Sequence, residues 1–297
     1  MRVLVQRLEK KGLKVLITGD KGFVGLETVK LLKKEGHTVV GYDLMDGFDI
    51  KDTTQLSEVV SREKPDRILH LAAIARFADA DKDPKLAHET NVIGTANVTY
   101  VAKKHHLPLV FSSTGSVYMP IQQEGQIKED WPGKGNSVYG CTKYMGELYV
   151  KEHTPHIILR YAHLYGKEKR MHGLIGGFVE RISRGLAPTL YGGKQSNDFT
   201  YIKDIALANY KALIAPWDKW NQAYNIGTGE ELSAKEAGEA ICEALNWPKD
   251  KVEIKEQRTV DPNRFWFDCS KAEVMLDFKA QWSFKDGLKD MFNENTV

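Results

Sequence analysis

The chain has 297 residues, with 42 Lys+Arg against 40 Asp+Glu and a formal net charge of +2; 42% of the residues are hydrophobic and 28% are charged. These values match an ordinary globular protein and exclude a disordered chain, a collagen-like repeat and a disulfide scaffold. So even a charge balance gives no electrostatic case for nucleic acid or a membrane surface, both of which call for clustered basic groups.

The three cysteines, Cys141, Cys242 and Cys269, lie far apart and form no metal-ligand spacing. A sparse, odd set reads as reduced thiols, which points to a cytoplasmic protein. No stretch approaches the ~18 apolar residues of a membrane span. The opening MRVLVQRLEKKG lacks the apolar region and small-residue cleavage site of a signal peptide.

In chain order, short apolar runs alternate with segments of helical period. KVLIT (14–18) reads as a strand, 23–36 as a helix stopped by glycine, and TVVGYD (38–43) as a second strand. A helix over 53–62 precedes the strand RILHLAA, and Pro84 opens a long helical stretch to about His105. LPLVFSS (107–113) is a strand, 137–153 a helix and HIILRY (156–161) a strand. Runs such as VLI and IIL, without alternation, suit strands buried on both faces. This order predicts an α/β fold: a doubly wound, Rossmann-like parallel sheet with right-handed crossovers.

After Tyr161 the rhythm changes. Glycines punctuate the next segment, Tyr224 to Ile226 reads as one more strand, 233–245 as a helix, and the tail from Trp247 as irregular. The expected division is a dinucleotide-binding domain over 13–161 plus about 199–227. A discontinuous lobe over about 162–198 plus 228–297 is expected to bind substrate.

T-G-D-K-G-F-V-G sets Gly19, Gly22 and Gly25 directly after a strand and at the start of a helix. The first glycine allows the tight turn, the second lets backbone approach a pyrophosphate, and the third lets helix pack on strand. The helix N-terminus, with Phe23 and Val24, offers free N–H groups and a positive dipole end. Asp43 ends the second strand about 20 residues on, where a carboxylate accepts from both ribose hydroxyls. It would repel a 2′-phosphate, so NAD is expected rather than NADP.

Tyr139 and Lys143 stand four apart in NSVYGCTKYMGELYV, on one face of a helix. A phenol ionises near pH 10, and a neighbouring ammonium lowers that value toward the range useful to a base. The strand end FSSTGSVYM supplies hydroxyls. A hydroxyl there can hold a substrate oxygen and guide its proton to Tyr139.

The spacing TGxxGxxG resembles the short-chain dehydrogenase/reductase superfamily, and other motifs are similar to its extended branch. Asp49-Ile50 resembles the pair that holds adenine. His70-Leu71-Ala72-Ala73 resembles the strand motif beside the cofactor, and Asn91 the helix asparagine. FSSTGSVYM resembles the nucleotide-sugar epimerase pattern, with the catalytic hydroxyl falling on Thr114 and Ser112 beside the cofactor. ILRYAHLYG, SNDFTYIKDIALA and YNIGTG complete a resemblance running from about Lys14 to Met291. The resemblance is to the NAD-dependent epimerase/dehydratase family, UDP-glucose 4-epimerases included.

The resemblance implies a catalytic set of Thr114, Tyr139 and Lys143, with Tyr139 and Lys143 also contacting NAD. It implies a UDP-sugar substrate contacted by Thr114, His163, Asn197 and Arg258, and a homodimer formed through the Tyr139 and Asn91 helices. Two positions depart from the pattern. His163 replaces an asparagine, and either donates to phosphate or sits as a core histidine. Asn197 replaces an arginine, which removes a bidentate phosphate clamp. Related dehydratases carry Asp-Glu after the catalytic Thr; here Gly115-Ser116 offers no carboxylate, so 4,6-dehydration is not expected. The expected activity is NAD-dependent 4-epimerisation of a UDP-hexose. The alternatives are a 4-keto-sugar reductase, a sugar dehydrogenase, and a non-catalytic NAD-sensing scaffold.

Overall fold

A computed structural model of the chain describes residues 12–118, 125–135, 137–153, 155–167, 173–256 and 264–293. Its central element is a six-stranded, all-parallel sheet. The strands and helices of this layer follow in chain order: β1 (Lys14–Thr18), α1 (Phe23–Lys34), β2 (Thr38–Tyr42), α2 (Thr53–Glu63) and β3 (Arg67–His70). Then come α3 (Phe77–Lys82), α4 (Pro84–His88), α5 (Thr95–Lys104), β4 (Leu109–Thr114), α6 (Val138–Lys151) and β5 (His156–Tyr161). Helices α7 (Gly173–Ser183) and α8 (Ile202–Ile214) precede the last sheet strand, β6 (Gln222–Ile226). The spatial order is β6-β5-β4-β3-β1-β2. The chain therefore reverses direction across the sheet between β1 and β3, and ligands of open parallel sheets bind outside the carboxyl ends at such a point.

The sheet residues sort onto two faces by alternation. Val15, Ile17, Leu69, Val110 and Ile157 join one core with Leu32 of α1 and Ile205, Ala208 and Ala212 of α8. Leu16, Ile68, Leu109, Phe111 and Ile158 join the other with Leu56 of α2 and Val98 and Val101 of α5. Strands β3, β4 and β5 are buried at every residue, which explains their unbroken apolar runs. Edge strand β2 is half exposed.

Local chemistry sets the helix starts. Asp52 accepts from Gln55 N (2.9 Å) at α2, and Ser137 accepts from Gly140 N (3.0 Å) at α6, each satisfying a donor that the helix leaves free. The stretch after Pro84, predicted as one helix, is α4 and α5 joined by a π-helical turn over Glu89–Gly94. Gly94 lies so close to Ile50 that an added Cβ would sit 2.5 Å from Ile50 Cδ1. Such a bulge re-aims side chains within a helix, here Asn91.

The second half carries more regular structure than its glycine content suggests. Besides α7 and α8, helices α9 (Ala234–Ala244), α10 (Ser270–Leu276) and α11 (Phe284–Phe292) are formed. The tail read as irregular is thus partly helical. Ser283 caps α11 through Asp286 N at 3.2 Å, and α11 buries only Gly287, Leu288 and Met291, too narrow a stripe to stand out among the charges. Short strand pairs join 163–165 to 199–201, 189–191 to 253–255, and 196–197 to 232–233.

Candidate active site

The glycine turn after β1 sits at the switch point. Gly19 has φ +75°, a left-handed conformation that glycine adopts without strain. Its backbone lies against Leu71 and Ala72, with an added Cβ only 2.7 Å from Ala72 N. Thr18 pins both strands there: its carbonyl accepts from Leu71 N (3.0 Å) and its Oγ1 from Ala72 N (3.3 Å). Gly25, in the first turn of α1, presses on the same loop, and a Cβ there would overlap Gly19 O and stand 2.7 Å from Asp20 Cα. The turn is a cradle whose shape depends on missing side chains, with the α1 N–H groups at its mouth. We expect Gly25→Val to fold poorly and to lose bound dinucleotide, read by released-cofactor absorbance after denaturation; full retention would refute this role for the turn.

Asp43 follows β2 and is nearly buried; its Oδ2 accepts from Lys21 N (3.1 Å) and its Oδ1 from Met45 N (2.9 Å). The carboxylate is thereby tied to the glycine turn. Asp20, within that turn, has a buried Oδ1 without a hydrogen-bond partner; burial first, and the Asp43 charge second, push its carboxyl up. An orphaned acceptor beside Asp43 suits the hydroxyls of a ribose. Asp49 Oδ1 accepts from Lys51 N (2.9 Å), and Ile50 is buried against Gly94. Asn91 does not present its amide to the cleft. Its Nδ2 donates to Ile74 O and Thr142 Oγ1 (both 3.0 Å), and its Oδ1 accepts from Ile74 N (2.8 Å). It fastens the loop that contains Ala72 and Ala73 to α6.

Thr114 ends β4 and Tyr139 lies in the first turn of α6; the two side chains are neighbours, and the Thr114 hydroxyl itself donates to Ser116 Oγ. Burial pushes the Tyr139 phenol up to about 12, and the nearby Thr114 hydroxyl pulls it back. Lys143, one turn on, is buried, with Nζ 4.2 Å from the centre of the Phe111 ring. Burial lowers its ammonium to about 7, opposed by Glu147. Behind them His70 is neutral, held down to about 3 by burial and then by Lys143. Its ring bridges Thr18 Oγ1 (2.7 Å) and Thr95 Oγ1 (3.0 Å). Ser112 Oγ donates to His70 O (3.0 Å). Two groups that sequence reading missed also touch this centre. Phe77 packs edge-on against Tyr139 with centroids 5.3 Å apart, and Ser116 Oγ accepts from Thr114 Oγ1 at 3.2 Å. Phe77 falls on no repeating spacing, so only the fold brings it in; Ser116 is a local turn contact within FSSTGSVYM.

Beside Thr114, Gly115 has no room for a side chain: a Cβ would stand 2.7 Å from Phe267 Cζ and closer still to Phe265. The position lacks a carboxylate, and the aromatic pair fills the space one would need.

His163 is exposed rather than a core residue, edge-on to Phe199 at 5.3 Å. Asn197 is half-buried in the strand beside Leu232. Arg264 is bound bidentately by Glu231 (2.6 and 2.5 Å) and lies over Trp266. Arg258 lies outside the described residues.

The profile of the NAD dependent epimerase/dehydratase family matches residues 15–227. The chain belongs to this family. Among its curated relatives is the UDP-glucose 4-epimerase of Mycolicibacterium smegmatis, 28% identical over 306 residues that cover 93% of this chain and 96% of the relative. A solved UDP-glucose 4-epimerase from Thermotoga maritima, with UDP-glucose, superposes with a TM-score of 0.85 at 26% identity, covering 94% and 97% of the two chains. That of Thermus thermophilus, in complex with NAD, gives 0.83 at 26% identity over the same shares. The family's cofactor is NAD, and the glycine cradle and the orphaned Asp20 oxygen fit it.

Proposed function

We propose that the protein is an NAD-dependent nucleotide-sugar 4-epimerase acting on a UDP-hexose. The observation that carries this reading is the placement of Tyr139 beside Thr114 and one helical turn from the buried Lys143 ammonium, at the switch point of a dinucleotide fold. We assign NAD to the domain over 13–161 plus about 199–227, and the sugar nucleotide to the lobe over about 162–198 plus 228–297.

In this reading Thr114 Oγ1 holds the sugar's 4-oxygen, and the phenolate of Tyr139 takes its proton. Lys143 supplies the positive charge that makes phenolate accessible. NAD held by the Gly19–Gly25 turn and Asp43 would supply a reversible hydride acceptor for C4. The 4-keto sugar turns over between the two transfers, and Tyr139 gives its proton back to the new hydroxyl. Since no net redox change occurs, the protein keeps its cofactor between turnovers. His163 and Asn197 line the substrate side, and the pocket that Phe265 and Phe267 close over Gly115 leaves no acid to expel water from C6.

The test is incubation of purified protein with UDP-hexoses, N-acetylhexosamines and uronic acids without added cofactor, with products separated by chromatography. Epimer formation is expected. Conversion only with added NAD or NADH would overturn the epimerase reading in favour of a dehydrogenase or reductase. No conversion by NAD-loaded protein would also overturn it.

We place the enzyme in the cytoplasm as a homodimer; no helix among the described residues is long and apolar enough to cross a membrane. Helices α5 and α6 pack side by side, and Ile93, Tyr100, Met145, Leu148 and Tyr149 around them are exposed. Such an outward apolar face suits a two-fold contact. Leu148→Glu is expected to give a monomer by light scattering, and a dimer of unchanged stability would exclude this surface.

A further inference from the structure

We propose that the buried Glu147–Arg160 ion pair is a positioning element for the reaction, clamping both ends of the turn that carries the Thr114 hydroxyl beside Tyr139. The proposal rests on the catalytic reading above. Glu147 lies on α6, two turns beyond Tyr139, and is fully buried; Arg160 on β5 is 4% exposed. The guanidinium is bidentate, with Nε to Oε1 at 2.9 Å and Nη2 to Oε2 at 2.7 Å.

From this pair two bonds run to the segment around Thr114. Ser113 Oγ donates to Glu147 Oε1 at 2.6 Å, one residue before Thr114. Arg160 Nη1 donates to Tyr118 OH at 2.6 Å, four residues after it. Tyr118 in turn donates to Asn225 Oδ1 of β6 at 2.7 Å, and Arg160 Nη1 also reaches Glu129 O at 2.9 Å. The turn over Gly115–Tyr118 is therefore held at each end by a single ion pair. Thr114 and its partner Ser116 sit between the two holds.

The same pair fixes how α6 lies along β4. Lys143 lies over the Phe111 ring and Glu147 accepts from Ser113, both joining the helix to that strand. The Glu147 contact is the short, charge-assisted one. A buried ion pair is a poor stabiliser compared with apolar packing of the same volume. What it supplies here is directional: both carboxylate oxygens and all three guanidinium nitrogens are committed, so the elements they join have one arrangement. Glu147 stands four residues past Lys143, a spacing that marks it once Tyr139 and Lys143 are known.

The experiment uses the NAD-loaded protein. Glu147→Gln strands the Arg160 charge and risks the fold, so the deciding variants are Ser113→Ala and Tyr118→Phe, which leave the ion pair in place. Each is expected to lower kcat for epimerisation about tenfold or more while KM changes less than about threefold, because a misplacement near 1 Å costs on that scale. In a Thr114→Val background neither should lower kcat further, since there is no hydroxyl left to aim. Equal losses in both backgrounds, or single variants within twofold of wild type, would overturn the proposal.

A second readout needs no sugar. The alkaline titration of Tyr139, taken as the ultraviolet difference from Tyr139→Phe, should move up in Thr114→Val and in Ser113→Ala alike. Lys143 on α6 and Tyr161 on β5, the titratable groups beside the phenol, are unchanged in both. An unmoved titration in Ser113→Ala with a raised one in Thr114→Val refutes the clamp. A wild-type protein that epimerises nothing refutes the functional reading instead, and the titration still decides the clamp.

Discussion

Tyr139→Phe is expected to keep the fold and the bound NAD and to lose epimerisation by about 10³-fold or more, the scale of a positioned general base. The ring stays, so the packing of Phe77 against it is preserved. What goes is one oxygen, beside Thr114. The phenol is held up to about 12 by burial in the free protein, so phenolate needs added positive charge to form near neutrality. Lys143 is the charged group of α6 placed to supply it, one turn away. Turnover should therefore fall as pH drops, and in Lys143 variants the fall should begin at higher pH. The measurement is kcat by chromatography, with NAD content checked after denaturation. A phenylalanine variant with more than a tenth of wild-type turnover would remove Tyr139 from the chemistry, whatever the geometry around it.

The sheet was readable because its strands are buried on both faces, which leaves apolar runs between glycine and proline stops. Gly19 and Gly25 were readable because each is demanded by a steric limit, and Tyr139 and Lys143 because helical period places i and i+4 together. Helices α7, α8, α10 and α11 were not. α8 packs on the central sheet, but its buried face interleaves Asp204 and Asn209 with Ile205, Ala208 and Ala212; the other three bury only two or three residues each, too few to form a stripe. Asn91 shows the limit within the site. The motif marks the position, but only the π-helical turn reveals that its amide is spent on Ile74 and Thr142. Phe77 meets the centre through a chain separation that no local pattern encodes, whereas Ser116 and Tyr118 lie within FSSTGSVYM, where only the fold shows which hydroxyls bond.

Lys143→Met should stabilise the protein while disabling it. Lys143 is 3% exposed, and its ammonium contacts an aromatic face rather than a carboxylate. Burial lowers it from an ordinary value of 10.5 to about 7. The unfolded chain therefore binds a proton more tightly than the native one, so native stability rises with pH between those values. Below pH 7 both states carry the charge, and the native state bears the whole penalty, on the order of 3–5 kcal/mol. Above about 10.5 both are neutral and the penalty is gone. Methionine matches the length of the stem and carries no charge, so the melting temperature at pH 6 should rise by about 10 °C, on the few degrees per kcal/mol typical of a chain this size. The rise should shrink steadily as pH is raised toward 10. Turnover should fall about 10²-fold or more, because the phenol then lacks its cationic neighbour. Calorimetry at the two pH values decides the first half and product assay the second. An unchanged melting temperature at pH 6 would mean that the native fold hydrates Lys143 after all, and a cation in water would have little power over the ionisation of Tyr139.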